Sequence, residues 1–233
     1  MKREASVGGI LGETMSLLRD AARDFALYTL VVGGLAAFGT IAGLSDTAGE
    51  LDFGFRIDSS DKPASALFEL VSLIVGIFGT YLLLGRFLAV RGRLGEGGGR
   101  FWPYLGMAIL SALGMIVGLL LLVVPGIVLL VRWSAASGFV IGAGQGVTES
   151  LSSSWAATEG HGWAIFFAAV VLFVGLAVAS AVIGAVLAVA GASVADMASA
   201  FVEAASGGVF AAFGIAIYGC VHDDAREVSE VFA

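Results

Sequence analysis

Three charged residues in otherwise apolar stretches are the obvious candidates for chemistry: Arg132, Glu69 and Glu203. Arg132 falls within 104–143, a run with no other charge. A charge inside a membrane is costly unless it is paired, lines water or snorkels to the interface. With Pro125-Gly126 set at the outer face, Arg132 lies six residues, about 9 Å, into the membrane. Glu69 and Glu203 stand near the starts of spans running in the same direction, at similar depth. The structural expectation is an ion-paired lock of Arg132 with Glu69, Glu203 or both. The functional alternative is a polar cavity for a lipid phosphate or a proton, since a guanidinium suits phosphate bidentately.

Composition dictates what must hold these residues. The 233 residues are 58% hydrophobic and only 13% charged, against about a quarter charged in soluble domains. So much apolar surface requires lipid as the main solvent. The net charge of −7, without a basic stripe, speaks against nucleic acid. Cys220 is the only cysteine, so an intramolecular disulfide is excluded. The first apolar run follows a segment of mixed charge, which fits an uncleaved anchor rather than a signal peptide.

About 20 apolar residues cross a bilayer core. Six spans are expected at 25–44, 66–90, 104–124, 126–143, 163–190 and 200–221. Residues 1–24 form an N-terminal amphipathic segment, 25–221 the membrane domain and 222–233 a C-terminal tail. The 40 residues of 104–143 would make a helix of about 60 Å, twice the core, so the run must fold back. Pro125-Gly126 is the expected hairpin turn. Nine of the twelve Lys and Arg lie in the N-terminal segment, in 86–100 or in the C-terminal tail. The positive-inside rule then makes both termini cytoplasmic, in a bacterial inner membrane. Trp102, Tyr104, Trp155, Trp163 and Tyr218 mark the inner interface.

Helical stripes precede the outward spans and suggest helices in the interface plane. One is Leu11, Met15, Leu18, Ala22 and Phe25; another is Val147, Leu151 and Trp155, opposite Glu149, Ser152, Ser153 and Glu159. Ser152–Ser154 reads as a solvated face. Small residues at Gly39/Gly43, Gly114/Gly118, Ser180/Gly184/Ala188 and Gly207/Ala211 allow close helix approach. "LDFGFRID" (51–58) alternates as a short extended segment would, and "GRLGEGGGR" lacks the ending of a phosphate loop. His161 and His222 lack partners at metal-ligand spacing, no nucleophile set stands out, and no cofactor is expected.

The stretch from "LLLLVVPGIVLLVRWS" to "HGWAIFF" resembles the glycerophosphoryl diester phosphodiesterase membrane-domain family and its YciC-like relatives. The matching residues are Glu149, Leu151, Ser154, Trp155, Thr158, Gly160 and Trp163. The resemblance implies a multi-pass membrane domain near phospholipids, without the phosphodiesterase barrel. Where relatives carry basic residues on the 147–160 helix, this chain has Ser152, Ser153 and Ala156.

The expected fold is an all-α, six-transmembrane-helix bundle of three hairpins with cytoplasmic interfacial amphipathic helices. The leading function is a non-enzymatic scaffold or accessory protein. It would act on membrane lipids, on another membrane-protein complex or on a second copy of itself. A transporter or lipid-handling protein using the Arg132/Glu69/Glu203 region is the alternative, and a membrane-embedded enzyme comes third.

Overall fold

The computed structural model describes residues 6–44, 63–95, 100–189 and 191–231. The alternating segment 51–58 lies outside them. The described residues form α1 (Val7–Asp20), α2 (Ala22–Ile41), α3 (Pro63–Val90), α4 (Phe101–Leu121), α5 (Val123–Trp133), α6 (Ala136–Ile141), α7 (Val147–Ala157), α8 (Gly162–Ala188) and α9 (Ala192–Val231). Among the described residues six segments are long and apolar enough to cross a membrane, with α5 and α6 together making the fourth. The chain is an all-α membrane helical bundle.

Neighbouring spans pair as α2 with α3, α4 with α5, and α8 with α9. The organising element is α9, which also packs against α1, α2, α3, α6 and α7. Its 40 residues make a rod of about 60 Å. It runs on as far as Val231, into the expected C-terminal tail of 222–233, and no proline or glycine interrupts it there.

Burial is concentrated at the α1 end of the bundle. There Ile10 and Leu17 of α1, Phe87 and Leu88 of α3, Val140 of α6 and Ile217 and Val221 of α9 are fully enclosed or nearly so. Tyr104 and Tyr218 belong to this core rather than to an interfacial belt, whereas Trp102 and Trp163 are exposed as expected. The inward face of α1 is rotated by about one residue from the expected stripe. It presents Ile10, Glu13, Thr14, Leu17 and Ala21, and Met15 points outward.

The α4–α5 hairpin forms, but its turn falls at Leu122 rather than at Pro125-Gly126. Leu122 is extended at φ −165°, and α5 begins with the next residue. Pro125 sits in the first turn of α5, where a helix does not use the missing N–H. Gly126 lets the helices close up: a β-carbon on Gly118 would stand 3.1 Å from the Gly126 Cα. Glycine plays the same part where α6 crosses α9, since a β-carbon on Gly138 would collide with the Tyr218 ring.

Gly138→Ala should lower stability by about 1–3 kcal/mol, the usual range for overpacking. Gly34→Ala, with nothing within 4 Å, should leave melting in detergent unchanged. Equal melting of the two variants would refute this account of the α6–α9 crossing.

Candidate functional site

Between α5 and α6 the chain breaks its helix over two residues, Ser134 and Ala135. A helix end leaves carbonyls without intrahelical partners, and those buried in apolar surroundings need donors. Here α7 supplies them. Ser154 Oγ donates to the Arg132 carbonyl at 2.7 Å, and Thr158 Oγ1 approaches the same oxygen at 3.4 Å. Ser150, Ser154 and Thr158, spaced four apart, form a fully buried hydroxyl stripe. Ser154 is therefore an interior donor and not part of a solvated face, and α7 stands against α4, α5 and α6. The sequence signal for Ser150, Ser154 and Thr158 is their four-residue hydroxyl period, the same spacing that marks an apolar helix face.

The Arg132 side chain turns to Trp155, the residue after Ser154 on α7. Its Nη1 donates to the Trp155 carbonyl at 3.4 Å, and its guanidinium carbon lies 5.3 Å from the Trp155 ring centroid. That is cation–π range. Glu149, at the other end of α7, accepts from the Gly146 N–H at 3.2 Å and so caps the helix it begins. Leu151 is buried beside the hydroxyl stripe. After α7, Gly160 turns the chain at φ +82°, a left-handed value that favours glycine. The chain then enters α8 at Gly162, close to Val131.

The expected cluster of Arg132 with Glu69 and Glu203 does not assemble. Among the described residues no ion pair joins Arg132 to either acid. Ser134, two residues from Arg132, lies against Gly214 of α9, and Glu203 is eleven residues away on that helix, roughly 16 Å. Glu69 is 17 residues, about 25 Å, from Arg86, which pairs with Asp24 at the α1 end. Arg93, at that same end, lies against Gly219, only five residues beyond Gly214. Arg132 thus belongs near the α1 end, while the two acids lie toward the other. Arg132 lies deeper than expected because the turn falls at Leu122, ten residues before it, and not at Pro125-Gly126, six residues before it.

The charge lock lies elsewhere. Arg91, just past α3, reaches back to α1 with all three of its terminal nitrogens. Nε donates to Glu13 Oε1 at 2.7 Å, Nη1 to Asp20 Oδ2 at 2.6 Å and Nη2 to Ser16 Oγ at 2.5 Å. The Arg91 and Glu13 side chains are only 12% and 8% exposed. Burial works against the guanidinium's charge, but the hydrogen bonds to Asp20 and Glu13 prevail and raise its pKa above the ordinary arginine value. This pairing explains why α1 turns Glu13 inward.

Two apolar clefts flank α5. One, of about 690 Å³, is lined by Gly114, Val117 and Leu121 of α4, Val124 and Val128 of α5, and Trp155. The second, of about 560 Å³, lies between α5 and α8, with Ile127, Val128 and Phe166 among its walls and Arg132, Gly160 and Trp163 also lining it. Among the described residues no group of three His, Cys, Asp or Glu is placed to hold a metal ion. Comparison with family models, curated proteins and solved structures finds no match to this chain.

Ser154→Ala and Thr158→Val should each cost on the order of 1 kcal/mol, and more together, because the Arg132 carbonyl loses its donors. Thermal melts in detergent read this, and a neutral double variant would count against the assignment. Arg91→Met should cost more, about 3 kcal/mol, by removing the cation that faces the buried Glu13 carboxylate. Adding Glu13→Gln should recover part of that loss, whereas no recovery would show that the pair is not coupled.

Proposed function

We propose that this chain is a non-enzymatic, multi-pass protein of a bacterial cytoplasmic membrane. It serves as a scaffold or accessory protein that docks a helix of another membrane complex against α8. The observation carrying this reading is how little of α8 the rest of the bundle covers. No residue of its most apolar 18-residue window is buried inside the chain, whereas half of the corresponding α9 window is. Its packing on the core is confined to its first half, through Ile165, Phe166, Ala168, Ala169 and Leu172. Farther along, Ser180, Gly184 and Ala188 share one face, and a β-carbon on Gly184 would meet nothing within 4 Å. Small residues at this spacing let a second backbone come close, and helix association in lipid depends on such packing. A helix facing only lipid gains nothing from a glycine there.

Orientation is part of the proposal. Arg86, Arg91 and Arg93 gather at the α1 end, which supports placing that end in the cytoplasm. So is kinship with the glycerophosphoryl diester phosphodiesterase membrane-domain family, which rests on Ser154, Trp155, Thr158, Gly160 and Trp163. These residues all belong to α7, the turn after it or the first turn of α8. A transporter is the weaker reading, since the three charges it would use do not meet.

A photo-crosslinking residue at Ala188 should give one discrete protein adduct in native membranes, and the same residue at Gly34 should give none. Gly184→Leu should reduce the Ala188 adduct several-fold without changing the melting of the purified chain. An undiminished adduct, or equal adducts at the two positions, would overturn the docking face.

A further inference from the structure

The cleft between α5 and α8 combines features that neither the docking of α8 nor the packing of the bundle uses. Its walls are apolar, from Val124, Ile127, Val128 and Val131 on α5 and from Phe166 on α8. One cation, Arg132, lies among them, with Trp163, which is 75% exposed, on the facing helix. A guanidinium carries five N–H donors. Of these the structure commits one, at the long distance of 3.4 Å, to the Trp155 carbonyl. Among the described residues no carboxylate forms an ion pair with Arg132. Stacking beside Trp155 orients the guanidinium plane and leaves donor edges for a planar or tetrahedral anion.

The surroundings select the kind of anion. Tryptophans and arginines sit together at the headgroup level of a bilayer. The volume of about 560 Å³ falls in the range of small-molecule sites, and it opens along helices expected to face lipid. An isolated inorganic ion would gain nothing from the apolar walls. A molecule with a phosphate at one end and a hydrocarbon chain at the other satisfies both. We propose that Arg132 and the α5–α8 cleft hold a glycerophospholipid. The phosphate accepts from the Arg132 guanidinium, and one acyl chain lies along Ile127, Val128 and Phe166. The site does not depend on any partner at α8, since the lining comes from the first turn and a half of that helix.

The full chain, purified in mild detergent, can be titrated with phosphatidylglycerol, with diacylglycerol of the same chains and with inorganic phosphate, and bound species counted by native mass spectrometry. Phosphatidylglycerol should bind at least ten-fold more tightly than either of the others. Arg132→Gln should remove about ten-fold of that affinity or more, the scale of a hydrogen bond to a charged group. The Arg132 carbonyl, which Ser154 holds, is untouched by the substitution. Ile127→Trp fills the apolar end without altering any charge, and it should also displace the lipid while the melting temperature is kept. Equal binding of diacylglycerol would reduce the site to a greasy groove and overturn the proposal. Equal binding of inorganic phosphate would do the same by removing the lipid. Unchanged phosphatidylglycerol affinity in a folded Arg132→Gln, or in Ile127→Trp should the first variant not fold, also overturns it.

Discussion

A helix that ends among apolar neighbours has to place its last carbonyls on donors, and in this protein that requirement falls on one oxygen. The Arg132 carbonyl takes Ser154 at 2.7 Å, with Thr158 close by. The bond holds α7 against the end of α5 and so brings Trp155 beside the Arg132 guanidinium. It also sets where the Gly160 turn must bring the chain round into α8. An exposed hydrogen bond is worth little because water replaces it, but one in an apolar interior leaves a costly orphan when broken. The position of Arg132, and of everything that lines the cleft beside it, follows from that asymmetry.

The Arg91 clamp has a different character. It joins α1 to the end of α3 through three hydrogen bonds from one guanidinium, two of them to carboxylates. Such a group contributes less through net energy than through geometry, since desolvation offsets much of the Coulomb attraction. Its effect is to fix the rotation of α1. Glu13 must face inward, and the apolar residues on either side of it then enter the core with it.

The spans were legible in the sequence because length and apolarity are strong signals that little can override. The fold-back between α4 and α5 was legible for the same reason, from the excess length of 104–143. Its position was not, because a proline that ends one helix and a proline that starts the next look alike until the backbone is known. The charge pairing is not legible, for two reasons. The depth of Arg132 depends on where the α4–α5 turn falls, and Arg91 pairs with acids 71 and 78 residues away in the chain, Asp20 and Glu13. Nothing local marks such a contact. The hydroxyl stripe on α7 is hidden for another reason: serines are more often exposed than buried, so Ser152–Ser154 reads as a solvated face although Ser154 is enclosed.

The uneven distribution of burial has a mechanical side. The bundle is fastened where α1, α3, α6 and the second half of α9 meet, and beyond Ala168 no residue of α8 is buried. Helices clamped at one end and loose at the other can change tilt individually. A thicker or thinner bilayer is then met by splaying or gathering the free ends, at a modest cost per ångström of mismatch, while the fastened end keeps its packing. In such an arrangement the length of helix left uncovered, and not the packed core, is what meets a change in membrane thickness.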